Sequence, residues 1–223
     1  MPALTLAESV AAALRDLLVG GHLVCGDRLV EIALAREMAV SQNTVRDALR
    51  QLEQEGWVVK QPRRGVTVRE FTRDEAAEVY ALLLAVESVA LDWALERMTR
   101  TRLMELGKLL TKAKRAAQDG DGDGAIQALF GFHKRLILHT GKALTTELAQ
   151  RLYNYARLLE ALRQARNPRD AELLAGQLEA HERLYRLIEA GDRAGAQAAL
   201  VALIAAYREM VFPVLGGAQA GET

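Results

Sequence analysis

Between Ser41 and Phe71 the spacing of apolar residues changes from that of a helix to that of a strand. Val45, Ala48, Leu49 and Leu52 recur at i, i+3, i+4 and i+7, on one stripe of an α-helix. Ser41 stands before the stripe, where its hydroxyl can accept a free backbone N–H of the first turn. Gly56 stands after it as a helix stop. Then "WVVKQ" and "VTVREF" are short β-rich runs on either side of "PRRG", a hairpin with Gly65 near its tip. Upstream, Leu4 to Val19 reads as a helix on Leu6, Val10, Ala13, Leu14 and Leu17, and "GGH" at Gly20 to His22 ends it. "CGDRLVEIALAREMAV" gives a turn and a short helix with Ile32, Leu34, Ala35 and Met38 apolar. Only a few residues around Ala39 to Ser41 join that helix to the next. The order is helix-turn-helix with a β wing behind it.

In such a motif the second helix lays its N-terminal residues against base edges in the major groove. Ser41, Gln42, Asn43 and Thr44 occupy that end. Gln and Asn amides can pair two-pronged with adenine, and a Thr methyl can meet the thymine methyl. Arg46 and Arg50 lie one turn apart, suited to guanine or phosphate. Arg63 and Arg64, beside Gly65 at the wing tip, can reach phosphates or an adjacent minor groove. From Gln42 to Arg69 six basic residues face three acidic ones, +3 in a chain whose 29 Lys and Arg balance 29 Asp and Glu. The overall balance argues against a general nucleic-acid coat but says little about a local patch, for which the +3 excess is the observation.

From Thr72 onward no strand-like alternation appears. Candidate helices are Arg73–Arg97, Arg102–Asp119, Gly124–Thr140, Leu144–Ala165, Asp170–Ala190 and Arg193–Val214, with breaks at "MTRT", "DGDGDG", "TGK", "RNP" and "AGD". Six helices with short connections predict an all-α bundle with apolar faces turned inward. The expected organisation is a mostly α protein: a winged helix-turn-helix with a small β-hairpin wing in residues 1–71, an all-helical bundle in 72–214 and a frayed tail in 215–223.

Several functions are excluded by what the sequence lacks. With Cys25 alone there is no internal disulfide, which fits a reducing compartment. The N-terminus has no basic region and carries Glu8, unlike a signal peptide. The runs "ALLLAVESVAL" and "AALVALIAAY" read as too short for a bilayer. A cytoplasmic protein with no membrane partner is expected. "DGDGDG" imitates the start of an EF-hand loop, but its twelfth position is Phe130, where calcium needs a Glu. No GxSxG, HExxH, P-loop or GxGxxG occurs, so no enzyme is expected.

The stretch "GDRLVEIALAREMAVSQNTVRDALRQLEQEGWVVKQPRRGVTV" resembles the winged-helix domain of GntR-type bacterial transcription regulators. Their pattern is "G-(E/D)-x-L-x-E-x-x-L-A", then "V-S-R-x-P-V-R-(E/D)-A-L-x-x-L-x-x-(E/D)-G", then a wing "R-G-x-x-V". This chain keeps Arg46 but has Ile32, Gln42 and Thr44 where the family often has Arg, Arg and Pro. The resemblance implies a homodimer on a short palindromic operator in double-stranded DNA.

The helical part, with "EVYALLLAVESVALDWAL", "GFHKRLILHTGK" and "EAHERLYRLIEAGDRAGAQAAL", resembles the FCD branch of that family. There a six- or seven-helix bundle senses a small organic effector, and many members hold a divalent metal (Zn, Ni or Mn) on one Asp and three His. The matching positions here are Leu129, His133, His181 and Leu203. Two of four ligands are leucine, so no metal cofactor is expected. Leu83 stands where members often place an Arg for an acidic effector. The expected pocket is therefore dry. It takes in His133, His181, Leu83, Leu129 and Leu203, with Arg151 and Asn154 as polar neighbours on one helix face.

The function implied is a sequence-specific repressor whose operator affinity a bound effector modulates. One rival is a DNA-binding dimer whose bundle only dimerises. Another is a bundle enzyme built on His133 and His181.

Overall fold

A computed structural model of the chain describes residues 4–63, 65–167 and 171–215. Arg64 and the tail residues 216–223 lie outside the described residues. The first three helices are α1 (Leu6–Val19), α2 (Glu31–Glu37) and α3 (Gln42–Gln54). Thr5 and Glu8 form a reciprocal capping box on α1, and the Ser41 side chain accepts from the Thr44 amide at the start of α3. Between α2 and α3 the chain turns through Ala39 at φ 53. Val10, Leu14 and Leu18 of α1 and Val45, Ala48, Leu49 and Leu52 of α3 are all buried and share one core. Each buried Leu contributes about 1.5–3 kcal/mol.

The C-terminal end of α3 closes tightly. Gly56 adopts φ +88. Its N–H donates to the Glu53 carbonyl at 3.0 Å, and the Trp57 N–H donates to the Leu52 carbonyl at 2.9 Å. These are the paired bonds of a Schellman stop. The chain then enters β2 (Val58–Gln61) and β3 (Gly65–Val68), antiparallel with Val58 opposite Val68. The wing has a third strand that the alternation did not predict. β1 (Arg28–Leu29) pairs with β3, so the sheet order is β1-β3-β2. Two residues are too short a run to show a period.

Thr72 caps α4 (Arg73–Glu96) with a second capping box through Glu75. The bundle continues as α5 (Arg100–Gln118), α6 (Gly122–His139), α7 (Ala143–Arg166), α8 (Ala171–Glu189) and α9 (Arg193–Val211), followed by one 3-10 turn, Phe212–Val214. These helices fall within a few residues of the predicted ones. Asp121 of the "DGDGDG" run caps α6 by accepting from the Gly124 amide at 2.8 Å.

Two expectations need correction. Leu215, placed in the tail, is buried. The segment Arg193–Val214 is long and apolar enough, by length and composition, to cross a membrane, although its central run had read as too short. It packs in the bundle through Ala196, Leu200, Leu203 and Ile204.

A Cβ built on Gly56 would lie 2.5 Å from Cε1 of Tyr155, in a backbone region that L residues enter at a cost. Gly56→Ala is expected to lower stability by at least about 1–2 kcal/mol, read as a reduced urea midpoint with an unchanged slope.

Candidate nucleic-acid interface and buried polar centre

The N-terminal half of α3 presents polar side chains to solvent. Ser41, Gln42 and Asn43 are exposed, and Thr44 is half-buried with its hydroxyl 2.8 Å from that of Ser41. Arg46 is held in place. Its Nη2 donates to Oε2 of Glu31 at 2.8 Å and its Nε to Oε1 at 3.3 Å, while Nη1 donates to Oδ1 of Asn43 at 3.2 Å. The Gln42 amide donates to the same Glu31 carboxylate at 3.0 Å. Bonds from Arg46 and then Gln42 keep the Glu31 carboxyl below its usual range. One carboxylate of α2 thus orients two candidate base-reading side chains of α3.

Sequence reasoning missed Glu31. Its signal was a carboxylate at the start of the short helix, 15 residues before Arg46. Ile32, which stands where the family often has Arg, is 62% exposed next to Glu31, on a short α2 whose buried residue is Leu34. Arg50 is exposed one turn further along and pairs with Asp47 at 3.3 Å. At the wing Arg63 is exposed at φ 65, and Gly65 opens β3 at φ +82. Arg28 of β1, also missed, is exposed and reaches toward Gly65.

The second candidate site lies in the bundle. His133 on α6 and His181 on α8 are 4% and 0% exposed, and their Nε2 atoms are 3.0 Å apart. Nδ1 of His181 donates to the Gln177 carbonyl at 2.6 Å. Burial, reinforced by the neighbouring His133, pushes the His181 pKa down to about 3. A neutral His181 with its proton on Nδ1 must accept at Nε2, so His133 donates there. Nδ1 of His133 then shares a proton with Oε2 of Glu87 at 2.6 Å. The other Glu87 oxygen accepts from the Tyr153 hydroxyl at 3.0 Å. Burial first, and Glu87 second, raise the Tyr153 hydroxyl well above its ordinary pKa.

Glu87 was not singled out from the sequence. Its signal is a lone carboxylate on the apolar run of α4, one turn after Leu83.

Leu129 and Leu203, at two of the four positions the resemblance gives to metal ligands, are 1% and 3% exposed, and Leu83, at the position it gives to an effector-pairing Arg, is 3% exposed. The Phe132 and Tyr207 rings pack edge-on against His181. Among the described residues no group of three or more His, Cys, Asp or Glu is placed to hold a metal ion. The donor set does not fit the four-ligand site that the resemblance implied, because the remaining polar groups satisfy one another. Leu203 also borders a groove of about 280 Å³ between α8 and α9, lined by Gly176, Ala206, Tyr207 and Met210.

Two predicted pocket residues face elsewhere. Arg151 is exposed and donates to the Tyr155 hydroxyl at 2.7 Å. Asn154 is buried, but its amide donates to the backbone carbonyl of Glu55, at the end of α3, at 2.9 Å. Helical spacing did not show that Asn154 meets the winged-helix domain.

The depressed His181 pKa has a sign that can be checked. Between pH 6.5 and 3 the unfolded chain protonates this imidazole and the folded chain does not. Its contribution to stability is complete above about pH 6.5 and is lost as pH falls toward 3, by up to about 1.4 kcal/mol per pH unit. His181→Leu is expected to flatten the acid limb of a stability-against-pH curve from chemical denaturation. An unchanged limb would show that His181 is protonated in the folded protein.

Comparison with known proteins matches this architecture. A family model described as "Bacterial regulatory proteins, gntR family" matches residues 6–68, and an FCD-domain model matches residues 78–206. The regulator LutR of Bacillus subtilis is 28% identical over 206 residues, 82% of this chain and 90% of LutR. The uncharacterized regulator YdhC of the same organism is 27% identical over 125 residues, 56% of each chain, so the match takes in just over half of YdhC. Among solved structures, McbR/YncC of Escherichia coli superimposes with a TM-score of 0.83 at 23% identity, over 95% of this chain and 99% of that one, a likeness of fold. The two matches together span the winged helix and the bundle: the chain belongs to the GntR family of bacterial transcription regulators, in the branch that carries an FCD domain.

Proposed function

We propose that this regulator is a cytoplasmic, sequence-specific repressor that binds a palindromic operator as a homodimer and responds to a small organic effector through its bundle. The carrying observation is the network of Arg46, Gln42, Asn43 and Glu31, which holds base-reading groups out to solvent at the start of α3. Pre-oriented donors lose little side-chain entropy on meeting base edges. Arg50, Arg63 and Arg28 flank that network with charge suited to phosphates. Repression follows from sterics, since a dimer seated on promoter DNA excludes polymerase.

The homodimer is supported by an exposed apolar face on two packed helices. Leu82 and Val89 of α4 and Val201 of α9 are 47%, 48% and 47% exposed, beside exposed Ala85 and Ala205. A two-fold partner would place two recognition helices on two half-sites. For the effector, the apolar groove beside Leu203, Tyr207 and Met210 favours an uncharged, largely apolar molecule over a metal-anchored acid.

A second reading makes the bundle a dimerisation module only. The closed centre around Glu87, His133 and His181 favours it. A thermal-shift and DNA-release panel of uncharged organic molecules separates the two. Release of operator by a stabilising compound supports the first reading. An operator affinity that no compound alters supports the second.

The DNA-binding reading is tested by selecting bound duplexes from a random pool and measuring affinity for the selected site. A palindrome is expected. Arg46→Ala is expected to weaken binding to it by about 1–3 kcal/mol while the dimer stays intact by sedimentation. Equal affinity in wild type and variant would remove α3 as the reading element.

A further inference from the structure

Three consecutive residues of α7 point in different directions because successive helical positions turn by about 100°. Tyr153 faces the bundle centre and donates to Glu87, which is bonded to His133 and through it to His181. Asn154 faces the winged helix and donates to the Glu55 carbonyl at the last turn of α3. The Tyr155 ring lies against Gly56, packs edge-on against Phe71 with centroids 5.5 Å apart, and carries the Arg69 guanidinium 4.7 Å from its centre. Glu55 also gathers Arg15 of α1 in two bonds of 2.7 Å, the Gln51 amide at 3.0 Å and the Trp57 indole N–H at 3.1 Å. Burial pushes the Glu55 carboxyl up, but the bonds from Arg15, Gln51 and Trp57 outweigh it and hold the group below its ordinary range.

We propose that Asn154 and Tyr155 are positioning residues for the recognition helix, and that Tyr153 ties their placement to the buried Glu87–His133–His181 chain. The posture of α3 then follows the state of the bundle centre through a single turn of α7. The C-terminal end of α3 has partners in the bundle, whereas among the described residues the hydrogen-bond partners of its N-terminal turn lie in the winged helix. A small rotation of α7 would act on the fixed end and sweep the free end.

The inference rests on the reading of α3 as the DNA-contacting helix, and its test is made without DNA so that the two can fail separately. Amide hydrogen exchange is followed at Glu55, Gly56 and Trp57 in the full-length protein, together with the Trp57 indole N–H resonance. Asn154→Leu, near in volume, removes one hydrogen bond to Glu55. Exchange at these amides is expected to accelerate about five- to tenfold. Tyr153→Phe removes only the hydroxyl, on the bundle side. It is expected to accelerate the same amides about two- to fivefold and to shift the Trp57 indole signal, with the α1 core amides unchanged. Should Asn154→Leu fail to fold, Tyr155→Leu strips the ring from Gly56 and carries the same expectation.

Unchanged exchange at residues 55–57 in the Asn154 or Tyr155 variant overturns the positioning role. A Tyr153→Phe effect confined to α4 and α6, or spread evenly over all amides, overturns the tie to the bundle centre. Loss of operator discrimination by the Arg46 variant, or its absence, bears on the reading of α3 alone.

Discussion

Glu55 is the residue on which the two halves of the molecule depend. Its carboxylate is partly buried and would be costly there without partners. Arg15, Gln51 and Trp57 supply them, and its carbonyl takes Asn154. One residue therefore joins α1, the end of α3, the start of the wing and a helix of the other domain. Gly56 follows because only glycine both turns the chain at φ +88 and leaves room for the Tyr155 ring. The hydrophobic core of Leu14, Leu18, Val45 and Leu52 supplies cohesion, but cohesion is non-directional. The bonds at Glu55 are directional and join the end of α3 to α1 and to α7 of the bundle.

The centre of the bundle shows the complementary rule for buried polar groups. Among the described residues the two imidazoles belong to no group of three or more His, Cys, Asp or Glu placed to hold a metal ion. Each polar atom finds a protein partner instead: Gln177 carbonyl, His181, His133, Glu87 and the Tyr153 hydroxyl form one unbroken chain. Removing a member would leave its neighbour buried and unsatisfied, at about 1–3 kcal/mol. Such a chain specifies the relative rotation of α4, α6, α7 and α8 in a way that leucine packing alone does not.

Much of this architecture is legible in the sequence because helix caps and periodicity are local. Ser41, Thr72 and Gly56 mark their helix ends, and the breaks between bundle helices carry turn residues. What the sequence does not show are pairings across space. β1 is two residues long and is visible only through its partner β3. Glu31, Glu87 and Asn154 act on residues 15, 46 and 99 positions away. Periodicity assigns a side chain to a face, not to the element that covers it. Arg151 and Asn154, expected as polar neighbours in a pocket, instead meet Tyr155 and the Glu55 carbonyl, and of the apolar residues read on the second helix Leu34 is buried while Ile32 is exposed.

The two ends of α3 differ in the kind of bond that holds them. At the N-terminal end Gln42 and Arg46 donate to Glu31 and Arg46 also donates to Asn43, bonds between side chains alone that base edges and phosphates can replace. At the C-terminal end Glu55, Trp57 and Gly56 are held by part-buried donors and a packed ring, which water does not readily replace. Under the proposed coupling α3 would act as a lever pivoting at Glu55 and Gly56, where α7 touches it, and displacement there would grow toward Gln42, Asn43 and Arg46, the proposed DNA contacts. Coupling between the domains therefore requires no large rearrangement of the winged helix, only a change in which rotation of α7 the bundle centre favours.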